Sequence, residues 1–195
     1  MPLNAPNVLT LLRIGLIPVF VLVYFLPVTW ANVGTAGFFF LAAITDWLDG
    51  YLARRFNQSS AFGAFLDPVA DKLMVAAALI LIVANPTLRP ALLNAPLFSV
   101  VVLIIIGREI AVSALREWMA EVGARKSVAV SLVGKFKTAV QMIAIVLLLY
   151  ERPIAGLSAF RMGELLLYVA ALLTLWSMGV YLKAAWPELM KERDR

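Results

Sequence analysis

The sequence predicts an all-α polytopic membrane protein with six transmembrane helices, short loops and both termini cytoplasmic. Three observations carry that expectation. Hydrophobic residues make up 63% of the 195-residue chain and the mean hydropathy is +0.91, where soluble domains use about 45–50% apolar residues. Apolar runs close to the roughly 20 residues needed to span a bilayer recur along the chain. Lysine and arginine gather at one set of helix ends.

The first run, Val8 to Leu26, has no small-residue cleavage site like a signal peptide's. It reads as a retained helix, with the mature chain starting near Met1 and Pro2, Asn4 and Pro6 forming an interfacial segment. The second run is Val33 to Arg54 and the third Ala64 to Ala84, followed by Ala95 to Leu115, Lys135 to Tyr150 and Met162 to Lys183. The connections at Pro27 to Asn32, Asn85 to Asn94 and Glu151 to Arg161 carry the proline, glycine and asparagine of turns. No linker interrupts the chain, so residues 1–195 are expected to form a single domain.

Orientation follows from the basic residues. With a cytoplasmic N-terminus, 14 of the 17 lysines and arginines fall on the cytoplasmic side, and only Arg89, Arg152 and Arg161 lie opposite. Short cytoplasmic loops are enriched in these residues, so the bias sets the topology.

The chain contains no cysteine and no histidine. Disulfides, thiolate sites, imidazole bases and Ser-His-Asp triads are therefore excluded, and any metal site must use oxygen ligands. The net charge of +5 is scattered between apolar runs without a long basic stretch, which argues against a nucleic-acid partner and for anionic lipid head groups.

Carboxylates in apolar segments are the chemically informative feature, because an aspartate at the centre of a membrane helix costs roughly 2.5–3.5 kcal/mol on the insertion scale. Asp46 and Asp49 stand at i and i+3, Asp67 and Asp71 at i and i+4, so each pair shares one helical face. Such a cluster repels itself unless cations are present. Mg²⁺ or Mn²⁺ suits it, and two ions about 3.5–4 Å apart could stabilise the attacking and leaving oxygens of a phosphoryl displacement. Asp46 precedes Arg54 by eight residues, about 12 Å along a helix, so the site would open toward the cytoplasm. Other uses stay open: Asp67 before Pro68 fits a helix cap and first turn, and Asp46 and Asp49 could pair with Arg54 or Lys72. Gly50, Ala53, Ala61, Gly63 and Ala64 are small enough for a ligand or for close helix packing.

The pattern Asp46-x-x-Asp49-Gly50-x-x-Ala53-Arg54, then eight residues, then Gly63-x-x-x-Asp67-x-x-x-Asp71 resembles the signature of the CDP-alcohol phosphatidyltransferase family at all eight specified positions. Similarity extends to Pro6-Asn7-Val8-Leu9-Thr10-Leu11-Leu12-Arg13, to Arg108-Glu109-Ile110 with Ser113-Ala114-Leu115-Arg116-Glu117-Trp118, and to Gly134-Lys135-Phe136-Lys137-Thr138. The resemblance implies six transmembrane helices, a homodimer, a bacterial cytoplasmic (inner) membrane location with the site facing the cytoplasm, and transfer of a phosphatidyl group from CDP-diacylglycerol with release of CMP. Glycerol 3-phosphate is the acceptor that the wider similarity favours, with inositol phosphate, serine or an aminoalcohol as alternatives.

Residue by residue, the resemblance implies that Asp46, Asp49 and Asp67 are metal ligands and Asp71 both ligand and general base. Gly50, Ala53 and Gly63 would leave room for the cytidine nucleotide, with Asp49 beside it and Arg54 near the donor phosphates. Asn7, Thr10 and Arg13 recur every three residues and could contact nucleotide or head group, or simply anchor the helix at the interface. An acceptor phosphate needs cations, and Arg108, Lys135, Arg116 and Lys137 fall near the cytoplasmic ends of the fourth and fifth runs, although positive-inside topology accounts for some of them. A cation-coupled transporter is the rival of a different class. It would require a second acidic pair, which later segments lack.

Overall fold

The computed structural model describes residues 5–56, 61–123 and 132–193; for residues 5–9, 46–56, 61–65, 67, 132–133, 135, 188–189 and 191–193 it describes the backbone alone. Among the described residues, six long helices carry the fold: α1 (Ala5–Tyr24), α2 (Ala31–Phe56), α3 (Ala61–Ala84), α4 (Ala95–Glu121), α5 (Leu132–Tyr150) and α6 (Ala159–Arg193). A short 3₁₀ turn at Arg89–Ala91 lies between α3 and α4, and a hairpin of β1 (Pro153–Ile154) and β2 (Leu157–Ser158) joins α5 to α6.

Most helices outrun the apolar segments that announce them, because hydropathy marks the apolar stretch whereas backbone hydrogen bonding continues through polar ends. Pro6, expected in an interfacial segment, stands in the first turn of α1, where a missing N–H costs nothing. At its start α4 is capped by Asn94, whose side chain accepts from the Leu97 N–H at 3.0 Å. It runs on past the expected end at Leu115 to Glu121, just before Gly123 at φ +76°. The alternative use of Asp67 as a helix cap is excluded: α3 begins at Ala61, so Asp67 and Pro68 lie inside the helix, where Pro68 cannot donate to the carbonyl of residue 64.

The hairpin between α5 and α6 was not visible as such in the sequence. Ala155 and Gly156 have φ +50° and +83°, the pair of positive values that a two-residue hairpin turn needs, and an alanine gives no warning of it. Glu151 ends α5 at φ +60°, its N–H bonding to the Leu147 carbonyl at 3.3 Å.

Helix α1 packs against both α2 and α3, α5 lies along α6 and touches α2, and α4 contacts α6 and α3. The shared core is apolar, with Phe20, Phe39, Leu79, Ile82, Phe98, Ile105, Ile145, Leu148 and Leu167 essentially closed to solvent. Val112, Met119, Tyr181 and Ala185 form a second cluster between α4 and α6. Gly163 sets how closely α5 and α6 approach: a Cβ there would sit 2.8 Å from the Ala144 carbonyl oxygen and 2.9 Å from the Leu148 nitrogen.

Outward-facing side chains are also apolar. Leu22, Leu103, Leu172 and Trp176 are each about 70% exposed, a surface suited to lipid rather than water. Among the described residues, Ala95–Glu121 and Ala159–Pro187 are long and apolar enough to cross a membrane, while the apolar parts Thr10–Tyr24, Ala31–Thr45 and Phe136–Tyr150 are shorter. The molecule is thus an all-α chain with the apolar helices of a membrane protein.

Side-chain bonds tie together the end of the bundle that carries the α1–α2, α3–α4 and α5–α6 connections. Asn85 donates to the Tyr24 hydroxyl at 2.8 Å, and that hydroxyl donates to the Leu81 carbonyl at 3.2 Å. Asn32 donates to Glu151 at 2.9 Å, and Arg152 donates to the Thr29 carbonyl. Burial pushes the Glu151 carboxyl above its ordinary range, and the Asn32 bond offsets part of that shift. Glu164, wholly buried in α6, accepts the Leu93 N–H at 2.9 and 3.1 Å and the Tyr168 hydroxyl at 2.7 Å, with Arg161 3.6 Å away.

Candidate active site

The signature residues fall at the opposite end. Asp46, Asp49, Gly50, Ala53 and Arg54 occupy the last part of α2, and Gly63, Asp67 and Asp71 the first half of α3. These are consecutive helices, so both aspartate pairs lie within a few turns of the α2–α3 connection. The side chains of Asp46, Asp49, Ala53, Arg54 and Asp67, and the surroundings of Gly50 and Gly63, lie outside the described residues, as do those of Asn7 and Lys135.

Described side chains show what converges on this end. Arg13 and Asp71 border the same small cavity, closed by Phe39, Ala42, Ala43, Met74, Val75 and Met142. Because α1 packs against α2 and α3 alike, an arginine from the N-terminal helix borders the same cavity as an aspartate of α3. Arg13 is 4% exposed and Thr10, one turn before it, is fully buried. Simple anchoring at a membrane surface would leave such groups accessible; these two point into the bundle. Arg13 also lines a groove of about 230 Å³ between α1 and α2, whose other walls are Leu12, Leu16, Phe38, Leu41, Ala42 and Thr45.

A second charged group lies between α4, α5 and α6. Arg108 is 8% exposed and Lys137 only 2%. Both donate to one oxygen, Oε1 of Glu109, Arg108 at 3.1 Å. The other Arg108 terminal nitrogen donates to the Ser177 hydroxyl at 2.9 Å, which in turn donates to the Thr174 carbonyl at 2.9 Å. The guanidinium also lies 5.7 Å from the centre of the Tyr181 ring, within cation–π range. Arg116, two turns further along α4, is exposed.

The two groups are close neighbours. Lys72, next in sequence to Asp71, donates to the Ser113 hydroxyl, which lies one turn beyond Glu109 on α4. One end of the bundle therefore combines a carboxylate on α3, a buried arginine on α1 and a buried cation pair on α4 and α5. That combination can accept a proton beside bound anions.

Sequence reasoning gave no role to Glu109, Ser113, Ser177 or Tyr181. The signal for Glu109 was present, since an acid inside an apolar helix carries the same cost that singled out the aspartates. The two serines and the tyrosine carry no such signal, because their part comes only from the packing of α3, α4 and α6.

Comparison with known proteins follows the same lines. The profile of the CDP-alcohol phosphatidyltransferase family matches residues 3–176. The chain is 52% identical over 192 residues to the CDP-diacylglycerol--glycerol-3-phosphate 3-phosphatidyltransferase of Shigella flexneri serotype 5b (strain 8401), covering 98% of this chain and 100% of the relative. It is 50% identical over 196 residues to the protein of the same description in Escherichia coli (strain K12), with the same coverage.

Proposed function

Because the chain belongs to the CDP-alcohol phosphatidyltransferase family, we propose that it transfers the phosphatidyl group of CDP-diacylglycerol to glycerol 3-phosphate, giving phosphatidylglycerophosphate and CMP. The observation that carries this reading is identity at half the positions, over nearly the whole of both chains, to relatives described by that activity. It is an enzyme of phospholipid biosynthesis. Expressing the chain in cells whose own phosphatidylglycerophosphate synthesis is disabled tests this: restored anionic lipid is expected, and lipid unchanged from the disabled parent contradicts it.

Asp71 is the general base in our reading. It takes the proton of the glycerol 3-phosphate 1-hydroxyl, the freed oxygen forms a bond to the phosphorus that carries diacylglycerol, and the bond from that phosphorus to the CMP oxygen breaks. Its place at a cavity shared with Arg13, half-buried and beside a cation, supports the role. Arg13, with Thr10, Asn7 and Arg54, serves the donor phosphates and nucleotide, and Gly50, Ala53 and Gly63 leave space for the cytidine.

Asp46, Asp49, Asp67 and Asp71 are the residues that would hold two divalent ions, Mg²⁺ or Mn²⁺, whose charge would be supplied to the donor pyrophosphate. The all-oxygen donor set of a chain without cysteine or histidine suits those hard ions. Arg108, Lys137 and Lys135 bind the acceptor phosphate, with Arg116 at its edge; burial of two cations side by side supports an anion partner.

We read residues 1–195 as a single domain with six membrane spans and cytoplasmic termini, in a multi-pass homodimer of the bacterial cytoplasmic membrane with its site facing the cytoplasm. The positive-inside distribution of lysine and arginine supports the orientation.

A further inference from the structure

Two cations buried side by side need a counter-charge, and in this bundle one carboxylate serves both. We propose that Glu109 is a positioning residue for the acceptor: its carboxylate holds Arg108 and Lys137 as a fixed pair that receives the phosphate of glycerol 3-phosphate. This inference rests on the reading of Arg108 and Lys137 as the acceptor-phosphate cations.

The geometry argues for positioning rather than mere charge balance. Glu109 Oε1 accepts from Arg108 Nη1 and from Lys137 Nζ, so a single atom fixes the two cations relative to each other across the α4–α5 boundary. On its other side the guanidinium is held by Ser177, itself bonded to the Thr174 carbonyl, and by the Tyr181 ring. With Nη1 and Nη2 both engaged, the plane of the guanidinium is set, and its buried Nε has no bonded partner among the described residues. A lysine ammonium has three donors, of which the Glu109 bond uses one. The cluster of two positive charges and one negative keeps a net positive charge for an incoming anion. Glu109 is 25% exposed, more open than either cation.

Ser113 extends the device toward the base. It lies one turn beyond Glu109 and accepts from Lys72, the neighbour of Asp71. The Lys72 bond ties α3 to α4 within one turn of Glu109.

The test is steady-state kinetics of purified full-length protein in detergent micelles, varying glycerol 3-phosphate and CDP-diacylglycerol separately, with thermal unfolding of each variant alongside. Glu109→Gln keeps an acceptor oxygen but no charge, Glu109→Asp keeps the charge on a shorter stem, and Glu109→Ala removes both. Loss of a charge-assisted bond is expected to raise the glycerol 3-phosphate KM about 10- to 100-fold in the Ala and Gln variants. The CDP-diacylglycerol KM stays within about threefold, and the Asp variant recovers part of the loss. Arg108→Ala and Lys137→Ala are measured in parallel. If these two raise the acceptor KM while the Glu109 variants do not, the positioning role is overturned and the acceptor site stands. If none of the variants moves the acceptor KM, the acceptor-site reading itself fails and the inference with it. Equal rises in both KM values together with lowered thermal stability in the Glu109 variants would assign it a structural role and likewise overturn the proposal.

Discussion

Arg13 on the first helix and Asp71 on the third border the same cavity, a relationship created by α1 packing against α2 and α3. In our reading Asp71 is the base that takes the acceptor proton at that cavity. Asp71→Asn is therefore expected to lower kcat by about 10²- to 10⁴-fold, measured as CMP released per enzyme. A near-normal rate in that variant would exclude the base assignment.

Glu164 anchors the far end of the bundle. Replacing it with alanine leaves the Leu93 N–H and the Tyr168 hydroxyl without their partner and Arg161 without its counter-ion. Glu164→Ala should cost about 1–3 kcal/mol, the range for leaving a buried donor without its partner. Glu164→Gln, which keeps one acceptor oxygen, should cost less. Thermal unfolding in detergent compares them, and equal Tm values for parent and Glu164→Ala would contradict this account.

Gly163 predicts an overpacking defect. The added methyl of Gly163→Ala meets backbone atoms of α5, which cannot rotate away as a side-chain tip can. The two helices must separate, at a cost of about 1–3 kcal/mol. A Tm equal to the parent's would mean that α5 and α6 adjust freely at this point.

Glu151 supplies a pH dependence. Its folded-state carboxyl is raised above the ordinary 4.5 by burial, so its contribution to stability is fully present below pH 4.5 and is lost as pH rises through the folded value. Near neutral pH the buried charge is a burden that Glu151→Gln removes while retaining an acceptor for Asn32. The variant should therefore melt higher than the parent at pH 7, with the gap closing as pH falls toward 4.5. A gap that widens on acidification would reverse the assigned sign.

What the sequence disclosed and what it did not divides along physical lines. The starts and ends of apolar segments placed every long helix, since burial in lipid demands long apolar stretches, and the Asn94 turn appeared as an asparagine before Ala95 and Pro96. Helix ends were misjudged wherever polar residues continue a helix beyond its apolar part, as at Glu121 and Arg193. Asp67 looked like a cap because the Asp-Pro pair is read locally, whereas the two turns that precede it in α3 depend on the fold. In the site, the cost of burying charge pointed to Asp71 from sequence alone, and an acceptor phosphate's need for cations pointed to Arg108 and Lys137 along with Lys135 and Arg116. The relation of Arg108 and Lys137 through Glu109 and Ser177 was hidden, because it arises from three helices that meet only after folding.

Release of CMP from CDP-diacylglycerol by the purified protein tests the central claim most directly, measured with Mg²⁺ or Mn²⁺ and a panel of glycerol 3-phosphate, inositol phosphate, serine and an aminoalcohol. The account predicts rapid release with glycerol 3-phosphate above the other acceptors, formation of phosphatidylglycerophosphate in equal amount, and loss of both when the divalent ions are chelated. Absence of CMP release with every acceptor, metal present, would contradict it.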